Sequence, residues 1–169
     1  YLSDGGHFEN LGLYEVVRRR CRFVIVSDAG CDPEASFEDL GNAIRKIRID
    51  LGIAIEFPNG IPIYSRSRAA EESFQADTAR PYAMGRIRYS EVDKKPDGSG
   101  QQDGVLLYLK PAVYGREPVD VRNYATKHRQ FPHETTADQW FSEPQLESYR
   151  ALGLHVVDQA LTKAQFESV

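Results

Sequence analysis

The sequence predicts an α/β fold in which a mixed β-sheet has helices on both faces. Three patterns favour this class. Residues 10–26 pass from helical apolar spacing into a continuous apolar run, which is typical of a strand covered on both faces. A second continuous run, Val105 to Leu109, has the composition of an inner strand. Between these runs, residues 36–51 show the apolar stripe of an amphipathic helix, so strands and helices alternate along the chain.

The first 28 residues predict a strand, a turn, a helix and a second strand. Residues 1–3 have extended residue types, and Asp4-Gly5-Gly6 then interrupts the strand with glycines that take positive φ at little steric cost. Asn10 is a candidate N-cap for the helix, and Phe23 to Val26 forms the second strand before Asp28. An acidic residue therefore follows each of two predicted strands.

Asp4 stands where a strand gives way to a loop, which is where ligand chemistry collects in open α/β sheets. The alternative is that Asp-Gly-Gly is only a favourable turn, since Asp is common in Asx-turns. Asp28 has the same two interpretations. It could face the cleft that contains Asp4, or it could close an Asx-turn at the end of its strand. The turn is favoured, because two neighbouring carboxylates repel each other.

The remaining elements follow from periodicity and punctuation. The sequence predicts a helix over 36–51 that begins with a Ser36-x-x-Asp39 capping box and ends at Gly52, followed by a strand at 53–57, a turn at 58–60 and a loop over 64–81. Residues 82–92 and 104–110 are predicted to pair as an antiparallel hairpin. Two further helices are predicted: one over 119–129 that buries Val121, Tyr124 and Ala125, and a last one capped by Ser142 with Leu146, Tyr149, Gly153, Val156, Val157 and Ala160 on one face. Thr135-x-x-Asp138 resembles a second capping box, which gives the polar segment around it a structural explanation. The alternative is that His133 and Glu134 border the entrance to a substrate site.

The segment SDGGHFENLGLYEVVRRR, followed by VIVSDAG, resembles the second catalytic motif of the patatin-like phospholipases. The similarity is greatest to bacterial members related to the cytosolic phospholipase branch. The matching positions are Asp4, Gly5, Gly6, Asn10 and Leu11, and Gly12 stands where the family often has proline. Residues 37–52 and 131–153 also resemble the C-terminal half of bacterial members. The resemblance implies that residues 1–169 are the C-terminal part of a patatin-like acyl hydrolase domain.

The resemblance further implies that fatty acyl esters of phospholipids or lysophospholipids are hydrolysed by a Ser-Asp dyad without a cofactor. Asp4 would be the general base, and Gly5, Gly6 and Asn10 would belong to its motif. The Gly-x-Ser-x-Gly nucleophile turn does not occur in the sequence, since Asp97-Gly98-Ser99-Gly100 is interpreted as a polar hairpin tip. The serine is therefore expected in the N-terminal part of the same domain, and this piece alone is expected to be inactive. The alternative is a non-catalytic lipid- or protein-binding domain that keeps the fold without the nucleophile.

Charge and composition restrict the partners. A formal net charge of -4 and a pI near 5.6 argue against nucleic acid. No run reaches the roughly 18 apolar residues of a membrane span, so contact with phospholipid or another acyl lipid is expected to be peripheral. The basic groups at 18–22 and 45–48 are either solvated helix ends or contacts for anionic headgroups. Two cysteines, Cys21 and Cys31, give no disulfide framework, which favours a cytoplasmic location, with membrane association through other parts of the full-length protein.

His7 and Glu9 beside Asp4 raise two further alternatives. The three side chains could bind a metal, or His7 could replace Asp4 as the base. Ligands bunched within six residues rarely surround one ion without a distant fourth, and no other histidine has matching spacing. We therefore expect neither a metal nor a cofactor.

Overall fold

The computed structural model describes residues 5–94, 100–135 and 137–163 of the chain. Within these ranges it has six α-helices and four β-strands, which confirms the mixed α/β class. In chain order they are α1 (Leu13–Arg18), β1 (Phe23–Ser27), α2 (Glu38–Leu51), β2 (Ile55–Glu56), α3 (Arg66–Ala69), β3 (Tyr82–Ile87), α4 (Tyr89–Val92), β4 (Gly104–Leu109), α5 (Val119–Lys127) and α6 (Glu143–Lys163). Two 3-10 turns, Gly5–His7 and Ala76–Thr78, complete the described elements.

The strands lie in the order β1-β4-β3-β2. β1 and β4 are parallel, because Val105 N–H donates to Arg22 O where both strands begin and Asp28 N–H donates to Leu109 O where both end, at 2.7 and 2.9 Å. β2 and β3 are antiparallel, with Ile55 opposite Ile87. Every residue of β4 is buried, which confirms the predicted inner strand.

The chain divides into two compact units, each built from separated segments. The first comprises residues 1–27, 37–61 and 83–108, and the second comprises residues 28–36, 62–82 and 109–169. In the first unit α1 packs against α2 and β1. Its buried side chains include Leu13 and Val17 of α1, Leu40, Ala43 and Ile47 of α2, and Leu106 and Tyr108 of β4. The predicted apolar stripe of α2 is therefore confirmed at Leu40, Ala43 and Ile47.

β1 differs from its prediction. Val24 and Val26 are buried, but Phe23 and Ile25 are 71% and 66% exposed. One face of the strand is thus uncovered by the described residues, and the expectation of a strand buried on both faces is wrong for them. The reason is that side chains along a strand alternate between two faces, and a continuous apolar run does not report whether other elements cover both of them.

The start of α2 is also different. Its N-cap is Phe37, at φ 57°, and no side chain caps it. The Ser36 hydroxyl donates instead to Asp32 Oδ1 at 2.8 Å, so the predicted capping box is wrong because Ser36 has another partner. The end of the helix is as predicted, since Gly52 takes φ 69° there and its N–H bonds to Arg48 O.

Two connecting segments contain more helix than expected. Residues 64–81, predicted to be a loop, include α3, which begins where Ser65 Oγ accepts the N–H of Arg68 at 3.2 Å. The first strand of the predicted hairpin ends at Ile87 instead of continuing to 92, because the helical turn α4 follows. Of the predicted hairpin tip at 97–100, residues 97–99 lie outside the described residues.

In the second unit α5 packs against α6. Val121, Tyr124 and Ala125 are buried, as predicted for α5. Phe131 fills the space beside them, with ring centroids 5.1 Å from Tyr124 and 4.8 Å from Tyr149. The guanidinium of Arg66 closes the carboxyl end of α5 by donating to the carbonyls of Ala125, His128, Arg129 and Phe131 at 3.0–3.3 Å.

The last helix confirms its predicted cap, since Ser142 Oγ accepts the N–H of Gln145 at 3.4 Å. Its buried face is Leu152, Val156 and Ala160, whereas Leu146 and Val157 are exposed. The prediction that Leu146 and Val157 lie on the buried face is wrong, because a long helix with apolar residues on several sides has no single obvious stripe.

Thr135 is also not a helix cap, since its hydroxyl accepts the N–H of Ala137 in a turn. Across the described parts of the chain, no helix combines the length and apolarity needed to cross a bilayer.

Candidate functional site

Asp4, the predicted general base, lies outside the described residues, and the description of its motif begins at Gly5. The Gly5 carbonyl accepts the N–H groups of Phe8 and Glu9 at 2.9 and 3.0 Å, which closes the 3-10 turn after the predicted acid. Gly5, Gly6 and His7 are all exposed. A Cβ at Gly5 would meet no described atom within 4 Å, so packing by these residues does not require glycine there.

Glu9 has a role that the sequence interpretation missed. Its side chain is buried, and its two carboxylate oxygens accept the N–H groups of Leu11 at 2.5 Å and Tyr14 at 3.3 Å. Glu9 thus satisfies N–H groups at the amino end of α1, where a negative charge also suits the helix dipole. Its carboxylate is engaged with backbone, and the described residues contain no group of three or more His, Cys, Asp and Glu suited to a metal.

Asn10 is not the N-cap of α1. The N-cap residue is Gly12, at φ 68°, with no side-chain cap bond. The Asn10 amide instead donates to Asp39 Oδ1 on α2 at 2.8 Å. The helix begins later than predicted, at Leu13, and the Glu9 carboxylate accepts the Tyr14 N–H in its first turn.

The motif segment is attached to α2 at two further points. Lys46 donates to the carbonyl of Phe8, and its ammonium lies 4.0 Å from the centroid of the Phe8 ring. The Tyr14 hydroxyl donates to Asp50 Oδ2 at 3.2 Å. Together with the Asn10 bond, these contacts fix residues 8–14 on a helix that lies later in the chain.

The arginines at the end of α1 already have acidic partners. Glu15 pairs with Arg18 at 2.8 Å and with Arg19 at 2.7 Å, and hydrogen bonds from these two guanidinium groups lower the pKa of Glu15 to about 2. Arg20 pairs with Asp93 at 2.5 Å. The pairs of Glu15 are exposed, and exposed pairs are weak, so they hold Arg18 and Arg19 only loosely.

A second polar group was not anticipated as a unit. It consists of Asp28, Asp32, Lys110 and His133, all in the second unit, and we name it the charge cluster. Nζ of Lys110 lies 3.1 Å from Asp28 Oδ1 and 3.7 Å from Asp32 Oδ2. The Lys110 and Asp28 side chains are each only 2% exposed. Burial of a charged pair is costly unless both partners are well bonded, so loss of either partner would leave an uncompensated buried charge.

The chain brings these groups together through its strand ends. Asp28 directly follows β1, and Lys110 directly follows β4, the parallel neighbour of β1. Parallel strands bring their carboxyl ends to one edge, where sites form in open α/β sheets. Asp28 Oδ1 also accepts the N–H of Gly30 at 2.9 Å, which confirms the predicted Asx-turn.

His133 completes the charge cluster. Its Nδ1 is buried and has no hydrogen-bond partner among the residues that the structure describes. The pKa of His133 is lowered, mainly by burial and then by the charge of Lys110. A hydrogen bond with the Gly30 backbone and the charges of Asp32 and Asp28 raise it by smaller amounts. The imidazole is therefore neutral at pH 7. The Cys31 thiol donates to the His133 carbonyl at 3.0 Å, so Cys31 as well as Gly30 connects the segment after β1 to His133.

Glu134, the other residue considered for a substrate entrance, makes structural contacts. Its N–H donates to the Tyr149 hydroxyl at 3.4 Å, and its Oε2 accepts the Gln145 amide at 2.8 Å. Both partners lie on α6. These bonds agree with the structural interpretation of the polar segment.

Comparison of the chain with protein-family models, with curated proteins and with solved structures gives no match.

Proposed function

We propose that the chain is the C-terminal part of a patatin-like serine acyl hydrolase, with helices on both faces of its sheet, that cleaves fatty acyl esters of phospholipids or lysophospholipids. The observation that carries the proposal is the order Asp4-Gly5-Gly6, then Asn10-Leu11, then a helix, and then a strand that Asp28 directly follows. The family motif has the same order of acid, glycine turn, Asn-Leu and helix. The turn at Gly5, helix α1 and strand β1 support the proposal because they supply that order in three dimensions.

In the proposed reaction, a serine from the N-terminal part of the domain attacks the ester carbonyl. Asp4 accepts the serine proton and returns a proton to the leaving alcohol, and water then hydrolyses the acyl-enzyme. Aspartate is a weak base, so the mechanism needs a partly desolvated Asp4 and strong stabilisation of the oxyanion by other groups. No cofactor takes part.

The described residues of the motif have a positioning role in this proposal. The Gly5 carbonyl closes the turn that follows Asp4, and the Asn10 amide fixes the next residues to Asp39. Loss of the Asn10 bond would let the segment after the base shift relative to α2. Small misplacements of a catalytic group are costly, so Asn10→Ala is expected to lower kcat more than it raises KM.

The test uses the longer protein and a p-nitrophenyl acyl ester. Asp4→Asn is expected to reduce kcat by about 10²–10⁴-fold, because the proton acceptor is lost. Glu147→Gln is the control, since Glu147 is an exposed partner of Arg150 and takes no part in the proposed chemistry or in holding the motif segment. Circular dichroism checks that both variants fold. An Asp4→Asn enzyme with full activity would remove Asp4 from the mechanism.

Two further results separate this proposal from the non-catalytic alternative. The residues upstream of Tyr1 are expected to contain Gly-x-Ser-x-Gly, and the isolated 169-residue piece is expected to be inactive. Turnover by the isolated piece would contradict the dyad assignment. Lipid binding without ester hydrolysis by the longer protein would favour the non-catalytic binding domain.

A further inference from the structure

We propose that helix α6, together with Trp140 and Phe141 just before it, is a surface that docks the chain on a bilayer of zwitterionic phospholipid. This surface, named the α6 surface, consists of six exposed apolar side chains: Trp140, Phe141, Leu146, Leu154, Val157 and Leu161. Exposed apolar residues are common when they are scattered singly, but here six fall within residues 140–161, and such groups mark interaction sites. The choice of a lipid partner rests on the proposed function, since phospholipid substrates lie in bilayers, whereas docking itself needs no turnover.

The four aliphatic side chains of the α6 surface lie on one side of the helix. At 3.6 residues per turn they fall within an arc of about 80° around the helix axis. A different arc of the same helix is buried within the chain, and it carries Leu152, Val156 and Ala160. Helix α6 therefore has two apolar sides, and the described residues cover only one of them. A helix that lies in the plane of a membrane interface presents one such apolar side to the acyl chains.

The two aromatic residues extend this surface beyond the amino end of α6. The Phe141 ring lies edge-on to Tyr149 of α6, with centroids 6.1 Å apart, which places Phe141 beside the first turns of the helix. Trp140 is 92% exposed, although its backbone is fixed in a turn where its N–H donates to Asp138 Oδ1 at 3.1 Å. Indole rings favour the headgroup level of a bilayer, where the ring is partly dehydrated while its N–H keeps a polar partner. An exposed tryptophan next to an apolar helix side therefore suits a lipid surface.

The position of Arg150 favours a lipid surface over a second protein. By the same helical spacing, Arg150 lies inside the arc, between Leu146 and Leu154 around the axis. Its guanidinium pairs with Glu147 at 2.7 Å, and both side chains are more than half exposed, so the pair is weak. In a dry helix–helix contact this charge would lose its hydration at a cost. At a bilayer, arginine keeps its guanidinium among the headgroups and buries only its stem, and phosphate oxygens accept two parallel N–H groups from it.

The charges around the α6 surface match a zwitterionic headgroup. Glu143 lies within the same arc at the start of α6, Asp158 lies beside the arc, and both are exposed. With Arg150 they present both signs of charge, as does a headgroup that joins a phosphate to a quaternary ammonium. A purely anionic lipid would meet these carboxylates and a formal net charge of -4. The α6 surface is therefore expected to bind phosphatidylcholine without any need for anionic lipid.

Trp140 is the single tryptophan of the chain, so its fluorescence reports on this surface directly. Vesicles of phosphatidylcholine are added to the whole chain, and two quenchers are compared: acrylamide in the water and a nitroxide on the acyl chains. Docking is expected to shift the Trp140 emission to shorter wavelength, to reduce quenching by acrylamide and to make the nitroxide an effective quencher. Unchanged emission and unchanged acrylamide quenching in excess lipid would overturn the proposal.

Two variants make the test specific, and flotation of the chain with vesicles measures both. Leu154→Asn removes an apolar side chain from the α6 surface, so partitioning onto vesicles is expected to fall by about tenfold. Ile49→Asn is the matched control with unchanged partitioning, because Ile49 is an exposed apolar side chain of another helix, α2. Equal losses in the two variants would overturn the assignment to α6. The two-quencher experiment on the unmodified chain decides the question alone if Leu154→Asn does not fold.

Two further results would also overturn the proposal. Binding that requires phosphatidylserine would assign the contact to basic groups such as the one at 18–22. A dimer in sedimentation equilibrium without lipid, with Trp140 shielded from acrylamide, would assign the α6 surface to a second copy of the chain. Vesicle binding through α6 without ester hydrolysis by the longer protein would instead support the docking surface and remove the proposed function, so the two proposals fail separately.

Discussion

The ring of Tyr89 lies against the backbone of Gly104 at the start of β4. A Cβ at Gly104 would stand 2.8 Å from Cε2 of Tyr89 and 3.3 Å from the carbonyl oxygens of Cys21 and Arg22. Tyr89 is fully buried, and its hydroxyl donates to the Cys21 carbonyl at 2.8 Å. A Cβ at position 104 would therefore force the Tyr89 ring or the neighbouring backbone to shift.

Gly104→Ala is expected to lower the free energy of unfolding by about 1–3 kcal/mol, because the added methyl overpacks a closed site. Urea denaturation measures the change. The matched control is Gly41→Ala in α2, where a Cβ would meet nothing within 4 Å. There the alanine is expected to raise stability by about 0.5–1 kcal/mol through helix propensity. Unchanged stability of Gly104→Ala would show that the Tyr89 ring moves easily.

Glu9→Ala is expected to cost about 1–2 kcal/mol, because two N–H groups at the start of α1 lose their acceptor. Glu9→Gln keeps one oxygen acceptor and should cost less. Glu15→Ala on the same helix removes exposed ion pairs with Arg18 and Arg19 and is expected to have a smaller effect than Glu9→Ala. Urea denaturation at pH 7 ranks the three variants, and an equal loss for Glu9→Ala and Glu15→Ala would contradict the capping role.

The single substitutions Lys110→Met and Asp28→Asn are each expected to cost about 3–5 kcal/mol at pH 7, since each leaves a buried charge without its main partner. The double variant should be more stable than the sum of the two losses implies. A double-mutant cycle from urea denaturation gives the coupling. Additive losses would mean that the 3.1 Å pair contributes little as a pair.

Acid should destabilise the chain through His133. Its folded-state pKa is lowered from an ordinary value near 6.5, so between these two values the unfolded chain binds more protons than the folded one. Stability is then fully present above about pH 6.5 and falls as the pH decreases toward the folded-state pKa. Urea denaturation from pH 7.5 to pH 5 measures the slope. His133→Asn should reduce it, and an unchanged slope in that variant would assign the acid sensitivity to other groups.

The sequence predicted the elements whose side chains share a face. The VLLYL run of β4, the buried side of α5 and the glycine that ends α2 were all correct, because each depends on period or backbone conformation within a few residues. The same local information could not show that the face of β1 that carries Phe23 and Ile25 is left uncovered by the described residues. Whether a face of a strand is covered is decided by distant parts of the chain.

The site was predictable only in part for the same reason. The Asp28 turn is local and was correct, but its pairing with Lys110 joins the ends of two strands that are far apart in sequence. A lysine after an apolar run is usually the solvated end of a strand, so nothing local identifies Lys110 as buried. Glu9 was considered as a ligand because its type suits a metal, whereas its carboxylate binds backbone N–H groups. The assignments to Asp4, Gly5 and Gly6 stay predictions.

The alternation of the two units along the chain sets an order for folding during translation. All segments of the first unit have been synthesised once residue 108 is made, while the second unit still lacks its longest segment. Residues 28–36 and 62–82 are short excursions from the first unit, and closing loops of that size carries a modest entropic cost. Lys110 follows Tyr108 almost immediately, so Asp28 and Asp32 can pair with it as soon as the first unit is complete, whereas His133 joins the charge cluster only after a further stretch of chain is made.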